Sequence, residues 1–226
     1  MTLAGPASHT FGSKASGMKF YDCSTAPSPR RVRIFMSEKG LEIPTVQVDL
    51  RKNEQLSSDF RKLNPWCTVP VLVLDDGTAI SEVTAVCRYL EEICPEPPLQ
   101  GVDATDRAVV AMWDHRCEID GFLAAGEAFR NSVKSLRGRA ITGPNNVPQI
   151  PELADRGRSR LVQFFEVLDQ RLAESPFIVG DRYTIADITA QVTIDFAGWI
   201  KMKLPERLRH ARRWYADVSI RPSAKT

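Results

Sequence analysis

The chain has little that would tie it to a metal, a membrane or a nucleic acid. Its three histidines, His9, His115 and His210, stand far from one another, and none pairs with a cysteine at ligand spacing, so a metal site is not expected. The five cysteines (Cys23, Cys67, Cys87, Cys94, Cys117) are an odd number without CxxC spacing. That pattern suggests neither a disulfide framework nor a zinc site, and reduced thiols are expected. A formal charge of +2 is too small to demand a nucleic-acid partner. No stretch approaches the roughly 18 apolar residues of a membrane span, and the first residues lack the apolar middle of a secretion signal. The expectation is a cytoplasmic protein without a membrane partner. Residues 1–17, rich in Gly, Ser and Ala and without periodicity, read as a disordered leader.

What is present is an ordinary globular composition, 43% hydrophobic and 26% charged over 226 residues, enough to bury one large core or two modest ones. From Met18, strand and helix signals alternate. MKFYD, TVQVDL and VPVLVL read as extended, and PRRVRIFMSEKG, SSDFRKL and SEVTAVCRYLEEI read as helical, with a short strand from Thr78 to Ile80 after the turn Asp75-Asp76-Gly77. This order favours an α/β sheet with a parallel pair and a closing antiparallel hairpin. The Pro-rich CPEPPLQG then breaks the pattern, and only helical periodicity follows: Ala104 to about Val133, Glu152 to Leu172, Ile185 to Trp199 and Glu206 to Val218. The boundaries expected are 18–94 for the α/β part, 95–103 for a linker and 104–222 for the helical part. Thr184-Ile-Ala-Asp187 has capping-box spacing at the start of one of these helices and reads as a stability device.

Three places carry chemistry. Ser28-Pro29 reads as N-cap and first residue of the opening helix, where Arg30, Arg31 and Arg33 add positive charge to an end that already favours anions. A thiolate would benefit there, unless the arginines pair with acidic neighbours or face solvent. In Asn64-Pro-Trp-Cys-Thr-Val69-Pro70 a proline opens an apolar strand, and a cis bond would turn the Val69 amide and carbonyl outward to clamp an extended peptide. Glu82-Val83-Thr84 opens another helix, with unpaired amides for a carboxylate and an acidic side chain for an ammonium.

Taken in order, MKFYD, PSPRRVRIFMSEKG, VDLRKNEQ, NPWCTVPVL, DDGTAISEVTAVCRYLEE and Thr184-Ile-Ala-Asp187 resemble the soluble glutathione transferases. The likeness is strongest to atypical fungal and bacterial members that lack a catalytic Tyr, Ser or Cys, and it runs from Met18 to about Pro222. It implies an N-terminal thioredoxin-like domain (βαβαββα) followed by an all-helical domain, with glutathione as co-substrate, a hydrophobic electrophile as second substrate, and pairing as a homodimer. It implies that Val69 pairs with the cysteinyl backbone of glutathione, with Thr68 and Pro70 also in the glutathione site, that Glu82 and Val83 hold its γ-glutamyl end with Thr84, and that Lys52 and Gln55 reach its glycyl carboxylate. Val83 departs from the commoner serine.

Ala26 falls where a catalytic Ser or Cys would stand. Activation of the sulfur then rests on the helix end, on the hydroxyls of Ser28 and Thr25, and on a water held by Asn131 or Ser132. Trp113, Phe122, Phe129, Phe196 and Trp199 are candidates for the second pocket. Two other readings remain open: a glutathione-dependent thiol reductase using Cys23, and a non-catalytic glutathione-binding protein with this fold.

Overall fold

A computed structural model describes residues 17–226; the expected leader lies, apart from Gly17, outside them. Four strands, β1 (Lys19–Asp22), β2 (Thr45–Gln47), β3 (Val71–Val73) and β4 (Ala79–Ser81), form one sheet in the order β2-β1-β3-β4. β1 and β2 are parallel, with Phe20 opposite Thr45, whereas β3 runs antiparallel to both β1 and β4. The parallel pair needs a crossover, which α1 (Pro27–Glu38) supplies, while β3 and β4 need only the turn at Gly77 (φ 86). α2 (Ser58–Leu63) and α3 (Val83–Ile93) complete a βαβαββα unit, as the likeness implied.

One result of this topology positions everything that follows. β1, β2 and β4 all end, and β3 begins, at the same edge of the sheet. Segments 23–28, 50–56, 64–70 and 82–84 therefore converge there. Ligands of open α/β sheets bind at such an edge.

The remaining helices are α4 (Ala104–Arg116), α5 (Leu123–Ser132), α6 (Pro151–Leu172), α7 (Ile185–Gly198) and α8 (Arg209–Ser219). The single run expected from Ala104 to Val133 is divided by a π-helical turn, Cys117–Phe122. Gly121 lies inside that turn, where an added Cβ would stand 2.8 Å from Phe164 and 3.0 Å from Thr193. The last helix starts at Arg209, later than the expected Glu206. α1 starts two residues earlier than expected: Ala26 is the N-cap, with φ −91° and ψ 138°, and Pro27 is the first helical residue. A residue before proline is pushed into the extended region, and proline's fixed φ suits a first helical position, so Ala26-Pro27 sets the start and Ser28 is not the cap.

The core runs through both halves without a break, from Phe20, Phe35 and Leu72 to Leu161, Phe165 and Trp214, all nearly inaccessible. α7 lies at its centre, and Asp187 fastens it. One carboxylate oxygen accepts the Thr184 amide (2.9 Å) and hydroxyl (3.1 Å), and the other accepts the Ile178 amide (3.0 Å) and the Trp214 indole N–H (2.9 Å). Burial nevertheless pushes this carboxyl up to about 6. Among the described residues no helix is long and apolar enough to cross a membrane.

Candidate active site

The tip of α1 is nearly stripped of hydrogen-bond donors. A helix normally leaves its first four amides unpaired. Here the Ala26 amide donates to the Cys23 carbonyl at 2.8 Å, and Pro27 and Pro29 have no N–H. The remaining one is the Ser28 amide, which has no acceptor among the described residues. The half-buried Ser28 side chain adds a second donor, because its oxygen accepts from Arg31 at 3.4 Å and its own hydrogen stays free. The Pro-Ser-Pro pattern carried this signal in the sequence. Thr25 is exposed, and its hydroxyl lies 3.5 Å from the Cys23 sulfur.

The expected positive spot is largely neutralised. Arg30 bonds to Asp195 on α7 at 2.5 Å, and Arg33 bonds to Asp22 at 2.6 Å. The buried Arg31 reaches Glu118 at 3.3 Å and stacks on the Phe122 ring, 4.1 Å from its centroid. These three side chains join the two halves and brace strand ends, and the helix tip itself remains the main source of positive potential.

At the next segment, the Val69-Pro70 peptide is cis, and neither the amide nor the carbonyl of Val69 has a backbone partner among the described residues. The buried Asn64 holds the turn by donating to the Thr68 carbonyl (2.9 Å) and hydroxyl (3.1 Å). Across the edge, Glu82 is held at φ 71°, a left-handed conformation that costs a non-glycine residue about 1–3 kcal/mol. This kink caps α3 and leaves the Val83, Thr84 and Ala85 amides without acceptors among the described residues, with the Glu82 and Thr84 side chains exposed. Gln55 is buried, and its side-chain carbonyl Oε1, an acceptor, has no partner among the described residues, whereas Lys52 is exposed with its ammonium 3.5 Å from Asp49.

The helical half contributes an aromatic cluster. Phe129 and Trp199 both meet Phe196 edge-on, at 5.3 Å and 5.1 Å, and Phe122 lies 5.7 Å from the same ring. Trp199 is half exposed, so the cluster opens outward. Trp113 is not part of it and instead packs under the guanidinium of Arg171 at 5.6 Å. Asn131, a candidate for holding a water, has its amide committed elsewhere: Nδ2 donates to the Glu127 carbonyl and Oδ1 accepts from the Ile150 amide, both at 2.9 Å. Ser132 is exposed, and its hydroxyl lies 3.4 Å from the Phe129 carbonyl. Cys23, the thiol of the reductase reading, is buried in a small apolar cluster with Phe60, Val69 and Val71.

Comparison with known proteins identifies the family. Residues 25–93 match the model of the glutathione S-transferase N-terminal domain, and residues 151–217 match that of the C-terminal domain. The chain is 33% identical over 211 residues to glutathione S-transferase 2 of Saccharomyces cerevisiae, covering 92% of this chain and 88% of that protein. Among solved structures, a glutathione S-transferase domain-containing protein of Marinobacter aquaeolei VT8 superposes with a TM-score of 0.84 at 38% identity, over 91% of this chain and 98% of the other. Gtt2 of Saccharomyces cerevisiae gives 0.84 at 32% identity, over 92% and 98%. With both halves matched and the fold shared along nearly its whole length, the chain belongs to the soluble glutathione S-transferase family.

Proposed function

We propose that this chain ionises the glutathione thiol at the tip of α1 without a dedicated activating side chain and conjugates it to hydrophobic electrophiles. The observation that carries this is the tip itself: the amide and hydroxyl of Ser28 are two donors without an acceptor among the described residues at a helix N-terminus, beside an alanine that can do no chemistry. The open Val69 amide and carbonyl would pair with the cysteinyl backbone, aided by the turn at Thr68 and Pro70. The first turn of α3, with Glu82, Val83 and Thr84, would take the γ-glutamyl end, and Gln55 and Lys52 the glycyl carboxylate.

In the reaction the thiol proton leaves to solvent and the thiolate attacks an electrophilic carbon. A carbon–sulfur bond forms as the leaving group departs with its electron pair. The Ser28 donors act by lowering the thiol pKa, which raises the fraction of nucleophile at neutral pH. The outward-opening cluster of Phe122, Phe129, Phe196 and Trp199 offers an apolar wall for the electrophile.

The test is turnover of chlorodinitrobenzene by the full-length protein with glutathione, beside retention on glutathione resin. Retention with conjugation supports the proposal. Retention without conjugation of this or other aryl halides would make the chain a glutathione-binding protein instead.

A further inference from the structure

After proline, glycine is the poorest residue for a helix interior, so a glycine there needs a reason. Those standing in helices here are Gly121, Gly126, Gly157 and Gly198. Packing demands two of them: an added Cβ would lie 2.8 Å from Phe164 at Gly121 and 2.7 Å from the Ala124 carbonyl oxygen at Gly157. Gly198 ends α7 and has no further turn of that helix to weaken. Gly126 lies inside α5, and neither reason applies to it. Its backbone is not left-handed. Outside its own helix backbone, an added Cβ would meet within 4 Å only a ring carbon of Phe196, at 3.8 Å, which is an ordinary contact. Alanine would fit there without strain and is the better helix former.

The surroundings of the missing side chain supply the reason. Phe122, Gly126 and Phe129 recur at helical spacing and so share one face. Both phenylalanines meet Phe196, at 5.7 Å and 5.3 Å between centroids, and position 126 faces the same ring between them. A side chain at 126 would fill the space over Phe196. Without one a notch remains, walled by Phe122 and Phe129 and floored by Phe196. Gly126 is partly exposed, and Trp199, which meets Phe129 and Phe196 edge-on, is half exposed, so the notch opens to solvent.

Two contacts hold this notch beside the tip of α1. The Arg31 guanidinium stacks on Phe122, 4.1 Å from the centroid, and donates to the Ser28 hydroxyl oxygen at 3.4 Å. One side chain thus separates a wall of the notch from the hydroxyl assigned to the sulfur. Asp195, which precedes Phe196 on α7, receives Arg30 from the first turn of α1.

We infer that Gly126 sets the width of the electrophile pocket, and that the notch it leaves over Phe196 admits the aryl group that the glutathione sulfur attacks. The inference rests on the transferase reading above and adds the class of acceptor, flat aromatic electrophiles. An aromatic ring in the notch gains edge and face contacts with Phe122, Phe129 and Phe196 that a methyl group is too small to make. Glycine at this position trades helix stability for room, a compromise common at functional sites.

The experiment is calorimetric titration of the full-length protein with S-dinitrophenylglutathione and S-methylglutathione, which share the tripeptide and differ in the group on sulfur. The parent should bind the aryl conjugate more tightly. One carbon more or less in an apolar pocket changes recognition about 10- to 200-fold. Gly126→Ala should therefore lower the aryl-to-methyl affinity ratio about tenfold and Gly126→Leu about a hundredfold, with S-methylglutathione bound as before. Gly126→Ala should also have the same Tm as the parent or a higher one. An unchanged ratio overturns the inference, and so does equal binding of the two conjugates by the parent. An equal loss for both conjugates would make Gly126 a support of the helix, and a lower Tm in Gly126→Ala would assign the glycine to packing; either result overturns it too. If Gly126→Leu does not fold, the alanine variant decides alone. If the ratios change as expected but chlorodinitrobenzene and other aryl halides are not turned over, the transferase reading fails and the notch stands. If neither conjugate binds the parent, both fall.

Discussion

Replacing Gly157 with alanine sets two effects against each other, and the structure decides between them. In a helix interior Gly→Ala ordinarily gains about 1 kcal/mol, because glycine gives up more backbone freedom on folding. Gly157 sits on α6 where α5 crosses, and an added Cβ would lie 2.7 Å from the Ala124 carbonyl oxygen, 2.8 Å from the Ala128 amide nitrogen and 3.1 Å from the Ala128 Cβ. Two of these obstacles are backbone. Ala124, Ala125 and Ala128 are fully buried, so no flexible side chain can give way and the helices must separate by about half an ångström. Because two of the obstacles are backbone, overpacking falls in the upper part of its usual range, about 2–3 kcal/mol, and exceeds the propensity gain, leaving a net loss of about 1–2 kcal/mol. For a chain of this size that is a fall in Tm of about 2–8 °C. Thermal unfolding followed by circular dichroism, with Gly198→Ala as control, measures it. Gly198 ends α7, and an added Cβ there would meet nothing within 4 Å, so alanine should be neutral or stabilising. A Gly157→Ala protein as stable as the parent would refute the close-packed α5–α6 contact.

Ser28→Ala removes the hydroxyl donor but keeps the amide. It should raise the apparent pKa in the pH profile of kcat/KM by about 1–2 pH units and cost about ten- to a hundredfold in turnover at neutral pH, with little change in the KM for glutathione. A flat comparison of the two profiles would exclude that hydroxyl. Asp114, buried on α4 and accepting the Thr189 hydroxyl at 2.6 Å, has its carboxyl pushed from 3.8 to about 6, chiefly by burial. The folded state therefore holds the proton more tightly than the unfolded one, and stability falls as pH rises from about 4 to 6, by about 3 kcal/mol in all. Asp114→Asn keeps an oxygen for Thr189 and carries no charge. It should be the more stable protein above pH 6 and lose that advantage near pH 4, as denaturant titrations at the two pH values would show.

The succession of strands and helices and the two-part architecture could be read from the sequence because they rest on local signals: alternation in MKFYD and VPVLVL, the Asp-Gly turn, and the proline-rich break. The start of α1 was also written locally, in Ala26-Pro27, but the more familiar Ser-Pro cap signal two residues later competed with it. The fate of the arginines was not legible at all, since Arg30 finds its partner 165 residues away and Arg31 finds Glu118 87 residues away. Such pairs are set by how the helical half docks, and the sequence near α1 shows only an excess of positive charge. Asn131 is a similar case: its type suits holding a water, but the return of the chain at Ile150 claims its oxygen. Among the aromatics, spacing on the helix could not separate Trp113 from Phe122 and Phe129. The π-helical turn Cys117–Phe122 shifts the register of the one helix expected there, so Trp113 and Phe129 on either side of it end on different faces.

The most direct test of the account is titration of the glutathione thiol bound to the full-length protein, followed by the ultraviolet absorbance of the thiolate. Two donors at the α1 tip predict ionisation at least about two pH units below that of glutathione free in solution, with part of the difference lost in Ser28→Ala. A bound thiol that titrates as it does in water would contradict the account, whatever the rate of conjugation.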